Sequence, residues 1–186
     1  MKYLNKAIFD VKYAKKRGIS PRMLAYFVKK GFIARISHGI YALNDAQNPF
    51  DLKSIYELIL IQIPQGVIGR MSALKFFDLT DEDPGRVQVI VPTDNVPKRK
   101  IEDVEFFLAP RPTLKIGIEK KGGIRVTSIE RTLIECLRTG VPLKTVLAAF
   151  ELAQQKGLKP SLSRMNYFAR LLRTQGKFRN FREAIL

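Results

Sequence analysis

The chain has 186 residues, 46% of them hydrophobic, and a formal net charge of +16. This composition predicts a folded core and excludes an intrinsically disordered chain. One cysteine and one histidine are too few for a disulfide framework or a His/Cys zinc site, and the most apolar stretch, residues 58–63, is too short to span a bilayer. The N-terminus has no secretory-signal pattern, so we expect a cytoplasmic protein without a membrane partner, cofactor or bound metal.

The positive charge is concentrated at the two ends of the sequence. Residues 1–45 contain ten Lys and Arg side chains against two acidic ones, and residues 137–186 contain the same numbers. Residues 46–136 are neutral. Two basic ends around a neutral body indicate a polyanionic partner. The alternative is that basic helices only keep the protein soluble.

Two short helices are predicted near the N-terminus. The first covers residues 10–16, with Asp10 as its cap. The second covers residues 21–30, because the Ser20 oxygen can accept a free amide of the first turn while Pro21 loses no needed donor. Each helix is followed by a glycine at which it can end. The short connection between the helices is typical of a helix-turn-helix.

The second helix is predicted to be amphipathic. Leu24, Phe27 and Val28 fall at helical spacing and are predicted to form its buried stripe. The opposite face carries cations suited to phosphate and an aromatic ring suited to a sugar or a thymine methyl. A solvated charged face would have the same composition. The predicted contacts of this helix and its cap with double-stranded DNA are Ser20, Arg22, Tyr26, Lys29 and Lys30.

A β-hairpin is predicted directly after the second helix. Residues 32–36 and 40–43 read as strands, and Gly39 supplies the backbone freedom that the turn needs. A hairpin at this position is a wing, so residues 1–45 are predicted to be a winged helix-turn-helix domain. Arg35 and His38 would lie near its tip and meet the DNA backbone or minor groove. For His38, an ordinary exposed turn position is the alternative.

The remaining residues, 46–186, are predicted to form a larger α+β domain with a mixed sheet and C-terminal helices. Asn48-Pro49 marks the expected boundary. Four strands are predicted at 86–92, 104–108, 114–118 and 124–126. The predicted helices are 51–62, 72–77, 128–138, 143–155, 161–173 and 178–185.

The residues of the predicted winged helix-turn-helix resemble a known family. The segments 18–24 and 28–43, and above all the ending Arg35-x-x-x-Gly39-Ile40-Tyr41, are similar to the winged-helix domain of AbiEi-type antitoxins of type IV toxin–antitoxin and abortive-infection systems. Ser72-Ala73-Leu74 and residues 127–133 extend the resemblance more weakly. The chain has Ile129 where the family has proline, Glu135 where it has aspartate, and Phe77-Asp78 where His-Gly is common. It also has only residues 1–9 before the first helix, where the family usually has a full helix.

The resemblance implies a DNA-binding regulator. Such a protein would repress its own operon through inverted repeats in the operator, and would neutralise a cognate toxin without a stable toxin complex. It would have no catalytic residues, and the antitoxin role would belong to residues 46–186.

Two other functions remain open from the residues. Asp103 followed by Glu119-Lys120-Lys121 has the order that some metal-dependent nucleases use, although Gly122-Gly123 directly after it indicates a hairpin turn. The C-terminal basic helices would also suit RNA or an acidic protein, through Arg164, Arg170, Arg173, Lys177, Arg179 and Arg182.

The Glu130-Arg131-Thr132 sequence invites a catalytic interpretation, but a structural one is favoured. Thr127 and Glu130 have the spacing of a capping box, in which each side chain satisfies a free amide of the other. Arg131 would then brace a neighbouring strand or carboxylate.

Overall fold

The computed structural model describes residues 4, 6–44, 51–98, 101 and 103–185. Over these residues the protein is a mixed α+β structure, as predicted. The chain divides into two units, residues 1–64 and residues 65–186. The first unit extends past the expected boundary at residue 45, and Asn48-Pro49 lie outside the described residues. No helix in the described part of the chain combines the length and apolar character needed to cross a membrane.

In its described residues, the first unit combines three strands with three helices. Its strands form an antiparallel sheet in the order β1-β3-β2. The elements are β1 (Ile8–Asp10), α1 (Val11–Lys15), α2 (Pro21–Lys29), β2 (Ile33–Ser37), β3 (Ile40–Leu43) and α3 (Leu52–Gln62). The predicted order of helix, short turn, helix and hairpin is therefore present.

A side chain caps the N-terminus of each of these three helices through a hydrogen bond. Asp10 Oδ1 accepts a hydrogen bond from the Tyr13 amide at 2.7 Å, and Ser20 Oγ accepts one from the Met23 amide at 3.2 Å. Asp51 Oδ1 accepts from the Ser54 amide at 2.7 Å, and this hydrogen bonding lowers the pKa of the Asp51 carboxyl. Each cap satisfies an amide that has no partner inside its helix, which explains why the predicted starts are correct.

Two apolar clusters hold the first unit together. Leu24 is fully buried in a cluster with Phe9, Ala14, Ile19 and Ile33. On the sheet, Leu58 and Ile61 of α3 pack against a second cluster of Ile8, Ile40 and Ala42. This packing explains why α3 belongs to the first unit although the sequence assigned it to the second.

The predicted buried stripe of α2 is partly wrong. Leu24 is buried and Phe27 is half-buried, but Val28 is 37% exposed. Phe27 instead makes an edge-on contact with Phe32, at 6.3 Å between ring centroids. The core side of this short helix is therefore narrower than its apolar spacing suggested.

The second unit is built on a five-stranded mixed sheet in the order β6-β5-β4-β8-β7. The pairs β4–β8 and β5–β6 are parallel, and β4–β5 and β7–β8 are antiparallel. The strands are β4 (Val67–Ile68), β5 (Val87–Pro92), β6 (Val104–Ala109), β7 (Ile118–Lys121) and β8 (Ile124–Thr127). The helices are α4 (Arg70–Phe76), α5 (Arg111–Leu114), α6 (Ile129–Arg138), α7 (Leu143–Gln155), α8 (Leu162–Leu171) and α9 (Gln175–Ile185).

The main core of this unit surrounds α6, whose residues 129–137 are all buried. Leu133, Val146, Met165 and Phe181 are fully buried in it and come from α6, α7, α8 and α9. Cys136 lies in the same core, and burial raises the pKa of its thiol. The predicted mixed sheet and C-terminal helices are confirmed.

The predicted strand at 114–118 is wrong. Residues 111–114 form the short helix α5, with a proline in its first turn, and the following strand begins only at Ile118. Gly117 separates the two with a φ of +67°, a conformation that side chains of L-residues disfavour. Because Pro112 favours a helical turn and Gly117 a turn, the strand begins at residue 118 and not at residue 114.

The predicted capping box is also wrong. Ser128, not Thr127, caps α6, because Ser128 Oγ accepts from the Arg131 amide at 3.4 Å. Thr127 Oγ1 instead lies 2.6 Å from Thr132 Oγ1 in the core. The Glu130 carboxylate lies 3.3 Å from Nη1 of Arg164 on α8. Glu130 thus joins two helices rather than closing the first turn of its own.

Candidate nucleic-acid interface

Helix α2 presents one side to the core and the other to solvent. Leu24 is its only fully buried residue, whereas Arg22, Tyr26, Lys29 and Lys30 are exposed. The Ser20 cap before the helix is exposed as well. All five predicted DNA-contacting residues of this helix and its cap are therefore accessible.

Three of the polar or charged exposed residues of α2 share one face. Arg22, Tyr26 and Lys29 are spaced four and three residues apart, which places them on adjacent turns of the same side. Lys30 Nζ lies 5.9 Å from the centroid of the Tyr26 ring, so cation and ring occupy one surface. We call Arg22, Tyr26, Lys29 and Lys30 the α2 face.

The α2 face is positive, and its cations form no ion pair within the described part of the chain. Asp10 is the only acidic residue in positions 1–44, and its carboxylate caps α1. Among the described residues, Arg22, Lys29 and Lys30 have no carboxylate within ion-pair distance. Uncompensated cations on an exposed helix attract a polyanion.

The hairpin brings the other two predicted residues together. Arg35 Nη2 lies 3.2 Å from His38 Nδ1, and both side chains are exposed. The pairing of β2 with β3 shifts register between Arg35 and Ser37, beside the turn. At the base of the hairpin, Asn44 Nδ2 donates to the Gly31 carbonyl at 2.6 Å. The structure thus forms two groups, the α2 face and the Arg35–His38 pair.

Sequence reasoning left out the exposed cations of α1 and the turn after it. Lys12, Lys15 and Lys16 are exposed, and the guanidinium of Arg17 lies 3.6 Å from the centroid of the Tyr13 ring. Their signal was already present in the net charge of residues 1–45. Neither the apolar spacing nor a capping residue marks these cations as DNA contacts, so the sequence predicted only their positive charge.

The two acidic residues of the nuclease alternative, Asp103 and Glu119, do not lie close enough to share a metal ion. Asp103 directly precedes β6 and Glu119 lies in β7, which are opposite edges of the five-stranded sheet. Four strand spacings of about 4.8 Å put them on the order of 19 Å apart. Glu119 instead pairs with Lys121 at 3.1 Å. No group of three or more His, Cys, Asp or Glu suited to a metal occurs in the described ranges.

The basic residues of α8, α9 and the turn between them are exposed, as a binding surface or a solubilising surface requires. Arg164 is partly engaged with Glu130 through the ion pair noted above. Tyr167 is 51% exposed on the same helix. The exposed cations of this surface are Arg164, Arg170, Arg173, Lys177, Arg179 and Arg182.

The comparisons with known proteins support the N-terminal assignment. Residues 4–44 match the family model described as transcriptional regulator, AbiEi antitoxin. The fold is similar to the crystal structure of the RV2827C protein from Mycobacterium tuberculosis, with a TM-score of 0.54 and 13% identity over 89% of this chain and 67% of that chain. At that identity the similarity establishes a shared fold only. No curated protein matches the chain significantly. The segment that carries the α2 face and the hairpin, residues 4–44, is thus similar to the AbiEi family of antitoxin transcriptional regulators.

Proposed function

We propose that the protein is a DNA-binding transcriptional regulator that represses its own operon and acts as the antitoxin of a type IV toxin–antitoxin system. The observation that carries this proposal is the α2 face, an exposed basic surface whose cations have no acidic partner among the described residues, in a segment that matches the AbiEi family. The protein would act in the cytoplasm on double-stranded operator DNA with inverted repeats.

In this proposal α2 is the recognition helix and the hairpin is the wing. Arg22 lies near the N-terminus of the helix, where side chains enter the major groove first, and its fork-shaped guanidinium suits guanine. Lys29 and Lys30, at the other end, would meet phosphates, as would Arg35 in the hairpin. The Ser20 hydroxyl and His38 would contact the DNA backbone beside these two groups.

Substitutions on the α2 face are expected to separate base contacts from phosphate contacts. Arg22→Ala should cost roughly 1–3 kcal/mol of operator affinity and relax sequence preference. Lys29→Ala should weaken all duplexes alike and reduce the salt slope by about one unit. Tyr26→Ala should lose packing without changing the slope. The measurement is a salt titration of operator and random duplex binding by wild type and the three variants.

The matched control is Lys144→Ala, an exposed lysine on α7 of the second unit. It should leave affinity and salt slope unchanged. If all three variants of the α2 face bind both duplexes like the wild type while remaining folded, the α2 face is only a solvated surface. The DNA site would then belong to the basic surface of α8 and α9.

The proposed division of labour assigns DNA reading to residues 1–45 and toxin neutralisation to residues 46–186. In cells that express the cognate toxin, full-length protein with Arg22→Ala and Lys29→Ala should lose repression of an operator reporter and still relieve toxicity. Lys144→Ala should retain both activities. A doubly substituted protein that is folded and abundant but fails to relieve toxicity would contradict this division.

A further inference from the structure

A cavity of about 110 Å³ lies in the second unit, lined by residues of β5, β6, α4 and α6. Three arginines, Arg70, Arg131 and Arg138, line it, together with the single carboxylate of Glu135. We call it the arginine cavity. Three guanidinium groups and one carboxylate give its wall a net charge of about +2. Two of the arginines, Arg70 and Arg131, are buried, where charges normally have partners.

Arg131 leaves one amino group without a partner in this cavity. Its side chain is fully buried, its Nε donates to Glu135 Oε1 at 2.8 Å, and its Nη1 donates to the carbonyl oxygens of Thr113 and Ile116. Its Nη2 has no hydrogen-bond partner among the described residues, and neither has Glu135 Oε2. Both atoms are closed off from solvent, so the Arg131–Glu135 ion pair is a buried part of the cavity wall, and the positive charge that it leaves uncompensated is that of Arg70 and Arg138.

Arg70 is held in the cavity wall at a structural cost. Its φ of +58° lies in the left-handed region, which non-glycine residues seldom adopt, and only 8% of the residue is exposed. Its guanidinium lies 3.3 Å from the centroid of the Phe107 ring, and its Nε donates to Thr139 Oγ1 at 3.2 Å. No described carboxylate lies within 4 Å of it. Strained backbone and desolvated charge are typical of binding sites.

Arg138 connects the cavity to the surface. It is exposed, and besides the arginine cavity it lines a second depression that contains Arg173 and Lys177. The cavity wall also includes Leu108, which is 51% exposed. An anion would therefore meet cations along its approach and an apolar side chain at the opening.

We propose that the arginine cavity binds the phosphate group of a small phosphomonoester. Such a group carries a charge of about −1.5 to −2 at neutral pH and three acceptor oxygens, which match the net charge of the wall and the fork-shaped donors of arginine. Arg70 and Arg138 donate to it from the cavity wall, and the buried Arg131–Glu135 ion pair is part of the wall that surrounds it. The organic part of the ester packs on Leu108. This site is independent of the α2 face.

The test is calorimetric titration of the full-length protein with inorganic phosphate and, separately, with adenosine monophosphate, at constant ionic strength. We expect saturable one-site binding of both, with the ester tighter because it also contacts Leu108. Arg138→Gln, a change at an exposed position, should weaken both affinities about tenfold, the effect of removing one charge-assisted hydrogen bond. Arg170→Gln, an exposed arginine on α8 outside the cavity, should bind like the wild type.

A second measurement identifies the atoms involved. The side-chain NMR signals of Arg70 should shift on addition of phosphate, and the signals of Arg170 should not. Absence of saturable binding at millimolar phosphate would overturn the proposal. Equal weakening by Arg138→Gln and Arg170→Gln would also overturn it, because the phosphate would then be attracted by surface charge alone.

Discussion

Replacing Leu24 with aspartate is expected to unfold the first unit. None of the Leu24 surface is accessible to water, and the side chain packs with Phe9, Ala14, Ile19 and Ile33. Truncating a buried leucine costs about 2–5 kcal/mol, and an unpaired buried carboxylate adds further cost. Because small units are stable by only about 5–15 kcal/mol, this loss is decisive. Amide hydrogen exchange should show lost protection in α1, α2 and the hairpin, together with lost DNA binding.

The matched control is Val28→Asp, in the same helix. Val28 is 37% exposed, so its substitution should change stability by about 1 kcal/mol or less. Protection of the hairpin strands should then remain close to the wild type. If Val28→Asp were as damaging as Leu24→Asp, the wider buried stripe inferred from the spacing of Leu24, Phe27 and Val28 would be correct after all.

Replacing Arg131 with methionine is expected to destabilise the second unit by about 3–5 kcal/mol, the cost of breaking a buried ion pair by removing one partner. The substitution removes the donors to Glu135 Oε1 and to the Thr113 and Ile116 carbonyls. Denaturant titration followed by circular dichroism measures the loss. A double variant, Arg131→Met together with Glu135→Leu, replaces both partners of the ion pair. It should recover part of the lost stability because no unpaired carboxylate remains.

The pH dependence of the Arg131→Met variant provides an independent check. Desolvation raises the pKa of the buried Glu135 carboxyl, an effect that Arg131 opposes. Without Arg131 the folded-state pKa should rise further above the unfolded one, so stability should fall as pH increases through the interval between them. The variant should therefore be closest to wild type at acid pH. An equal loss of stability at acid and neutral pH would assign the effect to the lost carbonyl contacts instead.

Local signals predicted most elements of this protein, because a cap or a helix-breaking residue acts on its immediate neighbours. Asp10, Ser20 and Asp51 each accept the amide three residues later, as their chemistry favours. Two of the errors are also local. The strand expected at 114–118 ignored the Pro112 and Gly117 signals. The cap of α6 is Ser128 and not Thr127, because serine and threonine are both suitable caps and stand side by side here.

Tertiary contacts account for what sequence could not predict. Helical spacing alone does not say how much of α2 is covered, so it could not separate buried Leu24 from exposed Val28. The α2 face was predictable because its residues are close in sequence. The arginine cavity was not, because Arg70 comes from one helix and Arg131 and Arg138 from another, far along the chain. Only the fold brings these cations together.

The central position of β4 has a consequence for how fast the two units form. Its Ile68 lies in parallel register with Val126 of β8, so the middle of the sheet can assemble only after residues 68 and 126 meet. Closing so long a loop costs entropy before any pairing compensates for it, and long-range pairing slows folding. The β2–β3 hairpin of the first unit joins residues that are neighbours in sequence. The first unit should consequently reach its native state earlier, and the time at which the whole chain becomes native is set by the meeting of β4 and β8.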